Sequence, residues 1–126
     1  MQICEGENEM TNVRRDCKLL CFLSSSLEDS IILRTLNNER DTNGNLTECS
    51  LDHILDKSVH DIIVLGISID VFVSNIEHHL NQLKILELVE VKDGIRKSYK
   101  LTSEGERIYS KIDYPFKHVI SVAEER

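Results

Sequence analysis

The chain has 126 residues, 40% of them hydrophobic and 29% charged, with one proline, five glycines and a formal net charge of −7. That length and balance suit one compact domain and exclude collagen-like, low-complexity and wholly disordered chains. The longest apolar run, Ile62 to Ile67, is far shorter than the roughly 20 residues that cross a bilayer, so no membrane partner is expected.

Met1 to Met10 has three glutamates and neither Lys nor Arg, which is the wrong charge for a secretion signal. A cytoplasmic location is therefore expected, with the four cysteines as reduced thiols. Residues 1–11 are acidic and unpatterned and read as a flexible N-terminus, leaving 12–126 as a single domain.

From Asn12 to Leu23 the apolar residues Val13, Cys17, Leu20, Cys21 and Leu23 fall near helical spacing and predict a first helix. Ser25 with Glu28 has the form of a capping box, opening a second helix to about Asn38 with Leu27, Ile31, Ile32 and Leu36 on one face. Asp41, Asn43, Gly44 and Asn45 make a turn cluster. From Ser50 the positions Leu51, Ile54, Leu55, Val59, Ile62 and Ile63 repeat at three and four, as one helix or as two, and Gly66 is a stop signal. Ser74 with Glu77 makes a second capping box, heading a helix with the core stripe Ile76, Leu80, Leu83 and Leu86.

After Leu86 the period becomes alternating: Leu88, Val89 and Val91, then Asp93-Gly94, then Ile95 to Leu101. Asp-Gly between two such runs predicts a two-stranded hairpin. Thr102 or Ser103 opens a last main helix, with Ser103 and Glu106 as a third box and Ile108 and Ile112 facing inward. Pro115 should interrupt it, leaving a short tail helix from about Phe116 to Glu124.

Helix, helix, helix, hairpin, helix is the order of a winged helix-turn-helix domain. The stretch His78-His79-Leu80-Asn81-Gln82-Leu83 followed by Leu86-Glu87-Leu88-Val89-Glu90 resembles the recognition-helix end and first wing strand of ArsR- and MarR-type regulators of bacteria and archaea. Tyr99-Lys100-Leu101-Thr102-Ser103-Glu104-Gly105 is similar to their second wing strand and the Leu-Thr-x-x-Gly that begins their next helix, and Ile32 to Leu36 to their first core helix. Glu87 stands where those families carry glycine. The resemblance covers roughly Ser26 to Ile112. It implies a mainly α fold with a small β-hairpin wing, and a homodimeric transcription regulator that binds double-stranded DNA.

The residues themselves bear on that function. Ser74, Asn75, His78, Asn81 and Gln82 lie opposite the core stripe of their helix and are of the types that read bases or hold phosphates. Lys92, Arg96, Lys97 and Lys100 stand against only Asp93, a basic ribbon in an acidic chain. Ribbons also carry Lys and Arg merely to block edge pairing. The acidic balance, Glu77 and Glu87 favour the alternative of a winged-helix module that binds a protein partner and avoids DNA.

Cys17 with Cys21, and Cys49 with His53, stand one helical turn apart, a spacing that suits Zn²⁺, but there is no Cys-x-x-Cys. Free cysteines are commonly small core residues, so no metal and no cofactor is assigned. No dinucleotide fingerprint, phosphate loop, His-Glu-x-x-His or Gly-x-Ser-x-Gly occurs, and no enzymatic activity is expected.

Overall fold

The computed structural model describes the backbone of residues 2–125 and the side chains of residues 13–125. Its elements are α1 (Gln2–Ser25), α2 (Leu27–Asn38), β1 (Cys49–Ser50), α3 (Leu51–Val64), α4 (Ile69–Ile85), β2 (Val89–Lys92), β3 (Ser98–Leu101) and α5 (Ser103–Glu124). The fold is mainly helical with one small antiparallel sheet. No described helix is long and apolar enough to cross a membrane.

The helix α2 is the centre of the packing. Ile31, Ile32, Leu33 and Leu36 are buried, and α2 touches α1, α3, α4, α5 and β3. A helix buried on most of its circumference must place its polar side chains against partners. Thr35 does so through a 3.0 Å hydrogen bond to Ser58 of α3, and Arg34 through a 2.6 Å ion pair to Asp61. Leu27, expected on the core face, is instead exposed at the first turn.

α3 is a single helix. Ser50 caps it as expected, its hydroxyl accepting from the His53 backbone N–H at 3.2 Å. Gly66 ends it with φ +73°, its N–H donating to Ile63 and the Ile67 N–H to Ile62. This pair of bonds around a left-handed residue is a Schellman cap. Only Leu65–Ser68, four residues, joins α3 to α4, and the two helices pack together.

The second capping box does not form. α4 begins at Ile69, five residues before Ser74, and its N-cap is Ser68, whose hydroxyl accepts from Val71 N–H at 3.4 Å. Ser74 lies inside the helix and donates back to the Asp70 carbonyl at 2.8 Å. The extra turn adds Phe72 to the core stripe of Ile76, Leu80 and Leu83, while Leu86 is only partly buried. The other two boxes also differ. Ser25 ends α1, Ser26 is the N-cap of α2, and Glu28 pairs with His79. Thr102 caps α5 by accepting from Gly105 N–H at 2.9 Å, and Glu106 pairs with Arg40.

The hairpin is present, but its connection is five residues long: Lys92 pairs with Ser98, so Asp93–Lys97 form the loop and Ile95 is fully exposed at it. β3 is also held on its other side by the unexpected β1, with Cys49 opposite Tyr99, giving the order β1-β3-β2. This double pairing, together with the buried Tyr99 and Leu101, fixes the register and leaves Ile95 no inward position.

Pro115 does not interrupt α5, which runs unbroken through it. Phe116 and Ile120 beyond the proline are buried in the core, and that packing outweighs the roughly 3 kcal/mol such a residue costs a helix interior. The backbone of residues 2–11, expected to be unstructured, continues α1. Once later turns are held by packing, each further residue adds one hydrogen bond for one ordered residue.

Candidate nucleic-acid interface

The exposed side of α4 follows from its buried stripe. With Phe72, Ile76, Leu80 and Leu83 inward, the helical period turns Ser74, His78 and Asn81 outward. Asn75 is also exposed. Gln82 is partly buried on the flank facing Lys18 and Phe22 of α1, away from the hairpin.

On the opposite flank, α4 and the hairpin enclose an open groove of about 230 Å³. Its polar lining is Glu77, Asn81 and Lys84 from α4 with Lys97 and Tyr99 from the hairpin. Asn81 and Lys97, both singled out in the sequence, are therefore brought together. Lys84 was not anticipated, although it lies three residues after Asn81 and seven after Glu77 and so shares their face. Burial, then the charges of Glu77 and Asp93, push the Tyr99 phenol above its ordinary value and keep it a neutral hydroxyl.

The basic ribbon divides into two parts. Lys92 is 3.6 Å from Glu48, and Lys100 is 3.8 Å from Glu90, so acidic neighbours already offset these two. Arg96 and Lys97 are exposed and enter no ion pair among the described residues. Free cationic charge in the hairpin is thus concentrated in its loop, beside the groove.

The position of α4 is set from both ends. Glu87 takes φ +65° and closes a second Schellman cap, its N–H donating to Lys84 and the Leu88 N–H to Leu83, both at 2.9 Å. Leu83 and Leu88 are fully buried beside it. The Leu88 carbonyl accepts from Thr102 N–H, and a Cβ on Gly105 would lie only 2.0 Å from that oxygen. Gly105 is therefore the residue that lets the first turn of α5 pack against the end of α4.

The histidine pair splits as expected. His78 is exposed, while the His79 side chain is mostly buried, 2.5 Å from Glu28 and 3.1 Å from Asp29. The Asp29 contact is close in charge but misaligned for a hydrogen bond. Burial raises the Asp29 carboxyl above its ordinary value, against the opposing pull of Ser26 and His79.

Among the thiols, Cys17 and Cys21 are exposed and Cys49 is buried. Burial and the nearby Glu39 push the Cys49 thiol up to about 11, which makes it a poor nucleophile at neutral pH. Around it lies the one group of three metal-ligating side chains among the described residues: Glu39, Cys49 and His53.

No protein-family model matches the chain, and no curated protein or solved structure matches it significantly.

Proposed function

We propose that the protein is a sequence-specific DNA-binding transcription regulator of winged-helix type, acting as a homodimer. The observation that carries this reading is the groove in which Asn81 and Lys84 of α4 meet Lys97 of the hairpin loop. In this reading the pair α3 and α4, joined by a four-residue turn containing Gly66, is the helix-turn-helix. α4 enters the major groove, where Asn81 reads a base edge and Ser74, Asn75 and His78 hold phosphates or bases. Arg96 and Lys97 grip the flanking backbone. The positive φ at Glu87 supports the likeness to ArsR- and MarR-type regulators, because their glycine at this place suits the same conformation. Val13 on α1 and Tyr114, Val119 and Val122 on α5 expose apolar surface for two-fold pairing through the flanking helices.

The test is retention of mixed genomic duplex fragments by the purified protein at low and moderate salt, with sequencing of whatever is bound. An enriched, two-fold symmetric site is expected, and the double variant Arg96→Glu/Lys97→Glu should lose it. No retention at low salt overturns the proposal. It would favour a protein-interaction module, a reading that has its own support in the exposed Ile63, Ile69, Val71 and Val73 flanking the α3–α4 turn.

A further inference from the structure

Glu39 follows the last turn of α2, Cys49 begins β1, and His53 lies in the first turn of α3. One donor atom from each of these side chains lies within 4.8 Å of the other two. The fold makes this meeting. Pairing of Cys49 with Tyr99 fixes β1 on the sheet, and the Ser50 cap starts α3 so that its first turn follows Cys49 directly. His53 Nε2 then stands 3.0 Å from Glu39 Oε1. Cys49 is buried, whereas Glu39 and His53 are partly open to solvent, so the group has an apolar floor and an accessible mouth.

The chemistry of the trio suits a cation better than it suits the protein alone. A carboxylate and a thiol sit side by side, and among the described residues Glu39 has no Lys or Arg partner, only His53. Thiolate, imidazole and carboxylate are the three donor types that hold Zn²⁺, at metal–donor distances of roughly 2.0–2.3 Å. Tetrahedral placement sets such donors about 3.3–3.7 Å apart, so side-chain shifts of about an ångström would close the group on one ion.

We propose that Glu39, Cys49 and His53 form a binding site for a borderline-soft divalent metal ion of the Zn²⁺ class, with a fourth position left to water or an external ligand. An ion there ties the end of α2 to β1 and to the start of α3, and through β1 to the hairpin strand β3. The site does not depend on the nucleic-acid reading.

The full chain carrying Cys4→Ser, Cys17→Ser and Cys21→Ser leaves Cys49 as its one thiol, and Co²⁺ is the probe. Titration should saturate at one equivalent with a near-ultraviolet thiolate-to-cobalt band and intense visible bands, all removed by Zn²⁺. In the same background His53→Ala and the isosteric Glu39→Gln should each weaken Co²⁺ binding at least about ten-fold, since even residues that only support a ligand cost about that much. Absence of the thiolate band in a chain that circular dichroism shows to be folded overturns the proposal. So does unchanged affinity in both ligand variants. If the triple-serine chain does not fold, thermal melting of the natural chain decides. Zn²⁺ should raise its Tm and leave that of Glu39→Gln unmoved, and equal shifts in the two reject the site.

Discussion

Glu87 holds a left-handed backbone that costs an L-residue about 1–2 kcal/mol, and its side chain returns little. Its carboxylate is 3.6 Å from Arg15 with both groups well exposed, a contact of small net value. Glu87→Gly should therefore stabilise the fold by about 1 kcal/mol, read as a higher urea midpoint at unchanged m. A loss of stability would show that the Arg15 contact matters more than the backbone. Asp16 gives the opposite case, a surface carboxylate whose partner holds two elements together. Arg107 donates to both its oxygens at 2.8 Å, and those bonds, reinforced by the charges of Arg107, Lys111 and Arg15, hold Asp16 below its ordinary 3.8. A lowered carboxylate pKa stabilises above the unfolded value and is lost as pH falls through the folded one. Asp16→Asn should thus melt earlier than the natural chain at pH 7, and the two melting curves should converge as the pH drops below about 3.8. A gap that persists at pH 2 would assign the effect to packing. The glycine-like place of Glu87 was legible from flanking leucines. The Asp16–Arg107 pair was not, because 91 residues separate partners that only the packing of α1 on α5 brings together.

Element boundaries show where local pattern and tertiary packing part. Ser74-x-x-Glu77 has the capping-box form, whereas Ser68 has Val71 at the third position and lacks the reciprocal carboxylate. Yet Gly66 ends α3 with a left-handed turn, Ile67 folds back on Ile62, and Phe72 extends the buried stripe one turn before Ile76. Burying Phe72 is worth on the order of 2 kcal/mol, more than the best cap, so the helix starts at Ile69. The same inequality carries α5 through Pro115. The consequence separates the two possible starts. Ser68→Ala should cost about 1 kcal/mol in chemical denaturation, because it removes a working cap. Ser74→Ala should stay within about 0.5 kcal/mol, because its hydroxyl only bonds back to Asp70 within the helix. The reverse order would place the helix start where the serine–glutamate spacing suggested. β1 escaped the sequence for a related reason: two residues leave no alternation to detect, and their pairing with β3 is non-local.

Across the whole molecule, 22 acidic residues outnumber 15 Lys and Arg, so contact with DNA depends on where cations remain uncompensated. Arg15, Arg34, Arg40, Lys92, Lys100, Arg107 and Lys117 all stand in ion pairs. Beside the α4–hairpin groove, Lys84, Arg96 and Lys97 do not, among the described residues. Each phosphate neutralised on duplex DNA contributes about −0.9 to the slope of log affinity against log salt. One copy of the chain, offering three such cations, should therefore give a slope of about −3, and a two-fold dimer engaging two half-sites about −5. Removing the Arg96 and Lys97 charges should take away about two-thirds of either slope, whereas Lys92→Ala, whose cation is already paired with Glu48, should leave it nearly unchanged. Binding isotherms on the selected fragment between low and physiological salt read these values. A slope near zero with retained affinity would show that the contact is not made through phosphates, and α4 would then be facing something other than DNA.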